Sequence, residues 1–156
     1  MPIDALTRAL DDAGVEYELL EHPRTETAAA EAQALGLSPD EVAKTLILTT
    51  PDGYVRAVIP ASCRIDLRKL GELEATSRKH VRLASEDDLV RGYPEFELGA
   101  VPPLGGDRRD EVVIDRRLAD RETIVLEAGT HAQSMRLKTQ DLVRAANAQV
   151  ADICQD

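Results

Sequence analysis

Aromatic residues are nearly missing from this chain, whose 156 residues hold one Phe, three Tyr and no Trp. The core is therefore expected to be aliphatic, filled by Leu, Val, Ile and Ala. No apolar run approaches the roughly 18 residues of a membrane-spanning helix. The opening segment carries Asp4, Arg8 and Asp11 on an amphipathic pattern, unlike a secretory leader. Cys63 and Cys154 lie far apart in the chain and match no zinc-binding spacing, so neither a disulfide nor a metal site is expected. The expected compartment is the cytoplasm. The sequence also has no P-loop, no dinucleotide-type GxGxxG, no GxSxG elbow and no HExxH helix. Chemistry here would use water or a substrate group as nucleophile.

Basic residues are in deficit, with 19 Lys and Arg against 29 Asp and Glu and a net charge of −10. That balance argues against a generic nucleic-acid binder, since phosphate contacts are made by Lys and Arg. The deficit is local: residues 1–41 hold ten acids and two bases. From Arg64 to Arg82 the sign reverses, where Arg64, Arg68, Lys69, Arg78, Lys79 and Arg82 meet only Asp66, Glu72 and Glu74. This stretch reads equally as a solvated face or as a docking strip for a polyanion.

No repeat, low-complexity tract or long linker divides the chain, and one domain over residues 1–156 is expected. Ile3, Leu6 and Leu10 share a helical face that Gly14 ends. Val15, Tyr17 and Leu19 alternate with acids as in a half-buried strand. Residues 26–35 read as an Ala-rich helix stopping at Gly36, and Ser38-Pro39-Asp40-Glu41 as a capping box. Strands 45–50 and 54–60 form a hairpin about Pro51-Asp52-Gly53. Asp66 and Ser85 cap short helices on either side of a brief strand, 81–83. Strands 112–115 and 123–127 follow, then a strand at 134–137. Thr139 is expected to cap a last helix carrying Leu142, Val143, Ala146 and Val150. Hairpins mixed with helices argue against regular βαβ winding. The expected fold is α+β, a curled, barrel-like mixed sheet of about six or seven strands surrounded by helices.

Four positions could carry chemistry. Lys44 stands at the mouth of the apolar strand Thr45-Leu46-Ile47-Leu48. There it is either an edge residue with its stem on apolar surface or an ammonium holding a carbonyl, phosphate or terminal hydroxyl. The run Gly99-Ala100-Val101-Pro102-Pro103-Leu104-Gly105-Gly106 is either a rigid turn or a loop presenting backbone N–H groups to an oxyanion. His131 follows Gly129-Thr130 at a strand-to-loop junction, a setting that His22 and His80 lack. Asp115 ends a strand, where a salt bridge to Arg116 or Arg117 competes with a role in a site.

In order along the chain, Glu21-His22-Pro23, Ala43-Lys44-Thr45-Leu46-Ile47-Leu48, Ile65-Asp66-Leu67-Arg68-Lys69-Leu70, Gly99 to Gly105, Asp115, Gly129-Thr130-His131 and Met135-Arg136-Leu137 resemble the YbaK/prolyl-tRNA-editing (ProX) family of trans-acting aminoacyl-tRNA deacylases. The resemblance implies hydrolysis of the ester joining a small mischarged amino acid (Ala, Cys or Ser) to tRNA, foremost tRNA(Pro), with no metal or cofactor. It implies catalytic roles for Lys44 and Gly99, and substrate contacts from Ala100, Val101, Pro102, Gly105, Asp115, Gly129 and His131. The implied partner is the 3′ acceptor end of an aminoacyl-tRNA, with a synthetase as a second candidate and neither membrane nor DNA. Pro102 stands where relatives often carry Ser or Thr, and it offers neither a hydroxyl nor an N–H. That departure and the acidic charge favour the alternative of a non-catalytic nucleotide- or synthetase-binding module. A third alternative is a hydrolase for small esters unrelated to tRNA.

Overall fold

The computed structural model describes residues 2–156. Helix α1 (Pro2–Asp12) leads into strand β1 (Tyr17–Glu21), and helix α2 (Ala28–Leu35) precedes a 3-10 turn at Pro39–Glu41. Strands β2 (Val42–Thr50) and β3 (Gly53–Pro60) form the hairpin, followed by α3 (Leu67–Leu73) and a second 3-10 turn, Arg78–His80. Then come β4 (Arg82–Leu83), α4 (Glu86–Gly92), β5 (Glu111–Asp115), α5 (Arg116–Ala119), β6 (Thr123–Thr130), β7 (Gln133–Lys138), α6 (Thr139–Ala145) and β8 (Gln149–Ala151).

All eight strands join one mixed sheet in the order β1-β7-β6-β2-β3-β5-β8, with β4 on β2. The α+β class holds, but the sheet has eight strands rather than six or seven. It is open rather than barrel-like, with β1 and β8 at its edges. Strand β2 is its hinge line. One edge of β2 pairs antiparallel with β3 along its length, from Ala43↔Pro60 to Thr50↔Gly53. The opposite edge is shared: β6 pairs with it parallel only at Val42 and Ala43, and β4 pairs with it only at Leu48 and Thr49. On that opposite edge no described strand pairs with Lys44–Leu46.

Local sequence accounts for most of the boundaries. Thr27 caps α2 by accepting from the Ala30 N–H at 3.0 Å, and Gly36, at φ +70°, closes it. The Ser38–Glu41 capping box forms as expected, yet it starts only a single 3-10 turn because β2 begins at Val42. Lys44 is therefore the third residue of a strand rather than a residue at its mouth.

Apolar side chains fill both faces of the sheet. Ile3, Leu6 and Leu10 of α1 pack with Ile124, Leu126 and Met135, and Leu70, Val81 and Ile153 pack with Leu48, Val55 and Ile59. The main clusters are aliphatic, but Tyr93 and Phe96 are also buried, under Ile47 and Val101. Strand β1 is an edge, so its alternation does not give a buried face: Leu19 is 48% exposed and Leu20 half-buried instead. Helix α6 ends at Ala145, and Val150 lies on β8 rather than on the helix, 47% exposed. Thr139 is the first helical residue and not the cap; its buried Oγ1 makes no hydrogen bond.

Candidate active site

A cleft of about 280 Å³ opens where one edge of β2 has no neighbouring strand among the described residues. Its walls are Ala43–Leu46 of β2, Gly99–Val101, Glu26–Ala29 at the start of α2, Ala61 and Glu127. Lys44 lines it and is half-buried. Burial lowers the pKa of its ammonium; the Cys63 and Cys154 thiols oppose that shift, and Arg64 adds to it. Among the described residues no carboxylate forms an ion pair with Lys44. A half-buried cation left without a counter-charge is costly to the fold unless a ligand compensates it.

The glycine–proline loop forms the facing wall. Gly99 has φ +80°, and a side chain there would stand 3.5 Å from the His131 ring. The Ala100 N–H donates to the Glu97 carbonyl at 3.0 Å, whereas no described residue accepts from the N–H groups of Gly99 or Val101. Those two donors are left at the cleft wall. The loop is held from beneath by Arg56, which is 1% exposed. Its Nη1 donates to the Pro102 carbonyl at 3.0 Å, and its Nη2 to the carbonyls of Gly105 at 2.9 Å and Arg108 at 3.2 Å. Tyr93 lies beneath the guanidinium, 5.0 Å from ring centre to Cζ.

Of the seven expected substrate contacts only Ala100 and Val101 line the cleft; Pro102, Gly105, Asp115, Gly129 and His131 do not. Pro102 is buried, with its carbonyl taken by Arg56. Gly105 lies against α1, where a side chain would meet the Ala5 carbonyl at 2.8 Å. Asp115 is fully buried and caps α5: it accepts from the Arg117 N–H at 3.0 Å, the Arg117 guanidinium at 3.3 Å and the Ile153 N–H at 3.0 Å. The salt-bridge reading of Asp115 is the one the geometry carries.

Gly129 and His131 act behind the cleft. The register of β6 against β7 slips between Glu127 and Thr130, and Gly129 takes φ +92° in this bulge. The bulge turns His131 inward, leaving it 3% exposed. Its Nε2–H donates to the Leu98 carbonyl at 2.6 Å, which ties the ring to the residue before Gly99. Its Nδ1 lies 2.8 Å from Glu127 Oε2, off the line of a ring N–H bond, so neither atom has a hydrogen-bond partner.

Several of these groups had no motif to announce them. Glu31 is fully buried and Glu127 largely so, and each carboxyl is pushed up to about 8, chiefly by burial; Glu97 and Glu26 raise Glu127 further. Ser134 hydrogen-bonds Glu31 and stands 2.8 Å from His22 Nε2, so His22, set aside in the sequence, joins this network. The available signal was a charge inside a β-prone run: Arg56 in Val55-Arg56-Ala57-Val58 and Glu127 after Ile124-Val125-Leu126. Half of the basic strip is neutralised internally, Lys69 by Asp152 and Asp156, Arg68 by Glu72 and Arg82 by Asp88. Among the described residues no His, Cys, Asp and Glu cluster is arranged to hold a metal ion, and no helix is long and apolar enough to cross a membrane.

Known proteins resemble this chain in sequence and fold. The chain is 27% identical over 141 residues to EbsC of Enterococcus faecalis, a candidate Cys-tRNA(Pro)/Cys-tRNA(Cys) deacylase, covering 88% of this chain and 83% of that protein. A crystal structure described as a candidate trans-editing enzyme for prolyl-tRNA synthetase superposes with a TM-score of 0.88 at 25% identity, over 99% of this chain and 98% of the other. The crystal structure of the protein APE2540 also gives 0.88, at 29% identity over 97% and 99% of the two chains. A family model described as the aminoacyl-tRNA editing domain matches residues 22–145, which hold Lys44, the Gly99 loop and His131, and the chain belongs to that family.

Proposed function

We propose that this protein is a trans-acting deacylase that hydrolyses the ester of a small mischarged amino acid on tRNA, with tRNA(Pro) as the first candidate. The observation that carries this reading is one cleft of about 280 Å³ lined both by Lys44, which has no ion pair among the described residues, and by Gly99 and Val101, whose N–H groups have no acceptor there. An aminoacyl ester is already activated, so holding it in place and stabilising the charge that develops can suffice. Water adds to the carbonyl carbon and the loop N–H groups receive the oxyanion. The bond to the ribose oxygen then breaks, with the Lys44 ammonium stabilising the negative charge that develops on it, and this oxygen takes up the proton released by the added water to leave as a hydroxyl. The free terminal ribose provides a 2′-hydroxyl that marks the substrate as RNA.

Such an enzyme answers a limit on synthetases, whose pockets gain only about 1–3 kcal/mol from one methylene and so admit small competitors. Among Ala, Cys and Ser, cysteine comes first because EbsC is named for Cys-tRNA substrates. A synthetase is proposed as the partner that hands over the mischarged product. The test is release of labelled amino acid from tRNA(Pro) charged with alanine, cysteine or serine, with correctly charged tRNAs as controls. Protein-dependent release from a mischarged species alone is the expected result. No release from any of them, by folded protein, overturns the reading. It would favour a binding module, for which the net charge of −10 speaks.

A further inference from the structure

We infer that Glu127 receives the α-ammonium group of the acyl moiety, so that the cleft recognises an amino acid as such and not any small acyl group. The inference rests on the deacylase reading. In an aminoacyl ester the amine is two bonds from the scissile carbonyl carbon. A carbonyl seated between Lys44 and the Gly99 loop therefore brings the amine to another wall of the same small cleft. Few groups of that wall are able to accept it. The Thr27 hydroxyl is occupied as the cap of α2. Glu26 is 72% exposed and paired with Arg24 at 3.1 Å. Thr45 has no charge. Glu127 has a carboxylate, lines the cleft and is only 11% exposed; its Oε2 is enclosed beside His131 Nδ1, so Oε1 is the oxygen left for a ligand.

The surroundings of Glu127 fit an incoming cation. Leu98 accepts from His131 Nε2–H, so that nitrogen carries a proton and Nδ1 is the atom facing the carboxylate. The His131 side chain is 4% exposed, and its Nδ1 has no hydrogen bond of its own. Glu97 and Glu26 oppose ionisation of Glu127, with Arg24 as a distant counterweight. An ammonium at Glu127 supplies the charge that burial denies the carboxylate, and a charge-assisted hydrogen bond between them follows. With Lys44 at one end and Glu127 at the other, the cleft is polarised along the acyl group. That polarity orients the carbonyl relative to the loop donors.

The test compares wild type with Glu127→Gln on three esters of one tRNA: the amino acid released fastest in the mischarged panel, its N-acetyl form, and the α-hydroxy acid with the same side chain. Wild type is expected to hydrolyse the aminoacyl ester at least tenfold faster than the other two, after subtraction of spontaneous hydrolysis. Glu127→Gln is expected to lower kcat/KM for the aminoacyl ester at least tenfold and to leave the hydroxyacyl ester within twofold. Equal loss on both esters, or loss on neither, overturns the inference while leaving the deacylase reading intact. If Glu127→Gln does not fold, Glu127→Asp carries the same comparison, with a smaller loss confined to the aminoacyl ester. A wild type that hydrolyses no aminoacyl-tRNA overturns the deacylase reading instead. Calorimetry with 3′-aminoacylamido-adenosine and its hydroxyacyl counterpart then decides: a preference for the amine that Glu127→Gln abolishes supports the inference, and no preference overturns it.

Discussion

Arg56 donates from Nη1 to the carbonyl of Pro102 at 3.0 Å, from a side chain that is 1% exposed. A proline at that point costs the loop an N–H but keeps an acceptor, and a guanidinium inside the sheet is the group that uses it. Two further carbonyls, of Gly105 and Arg108, are bound by the other arm. Replacing Arg56 with Met strands these acceptors and removes the fork that shapes the loop. A loss of about 2–4 kcal/mol is expected in urea unfolding. Deacylation is expected to fall in the variant fraction that stays folded, and Arg56→Lys to restore little because an ammonium lacks the fork.

Lys44→Met separates activity from stability. The ammonium is half-buried without an ionic partner among the described residues, so its removal spares a desolvation cost. Thermal unfolding should hold its midpoint or rise, while the deacylation rate falls on the order of 10²-fold, the scale of a lost charge-stabilising group. A folded Lys44→Met protein with full activity removes Lys44 from the mechanism.

Gly105→Ala and Asp115→Asn are expected to damage the fold and spare the chemistry. A Cβ on Gly105 meets the Ala5 carbonyl at 2.8 Å on a backbone with φ +97°. Asn at position 115 removes the charge that Arg117 pairs with at 3.3 Å. Each should cost about 1–3 kcal/mol, read as a lower unfolding midpoint, with kcat/KM at a permissive temperature within threefold of wild type. Gly99→Ala should lower both stability and activity, because its backbone sits at φ +80°. Its added carbon finds ordinary contact with His131 but alters the wall donors, so activity is expected to fall at least tenfold.

Stability should decline as pH rises from about 4.5 to about 8. Glu31 and Glu127 ordinarily titrate near 4.5 but near 8 in the fold. In that window the folded protein holds protons that the unfolded chain has released, so raising the pH favours unfolding. Denaturant melts at pH 5, 6.5 and 8 should show falling midpoints in wild type. The Glu31→Gln Glu127→Gln double variant should lose most of that slope and keep the smaller part due to Glu74, which burial and Glu111 push up to about 7.

Local chemistry made much of the fold legible. Gly36 ends α2, Asp66 and Ser85 cap their helices, and Pro51-Asp52-Gly53 turns the hairpin. Three-dimensional context overrode local pattern elsewhere. Tyr17 and Leu19 alternate, but β1 has a neighbour on only one side. Val150 continues a helical spacing, yet Asn147 takes φ +49° and the chain turns into β8. In the site, Lys44 and the Gly99 wall stood in recognisable blocks. Arg56 and Glu127 on their strands and Glu31 on α2 did not, because a charge inside an apolar element looks the same whether it faces solvent or a buried partner. Only the pairing of strands distant in the chain decides between the two.

The short contact between β2 and β6 also bears on how the protein folds. Only Val42 and Ala43 join the two portions of the sheet there, to Val125 and Leu126 far along the chain. The hairpins β2–β3 and β6–β7 are local and can form early, whereas closing the long loop between them is entropically slow. The cleft takes its walls from both portions, so it exists only after they meet. During renaturation, catalysis should therefore return after most of the backbone amides are already protected from exchange.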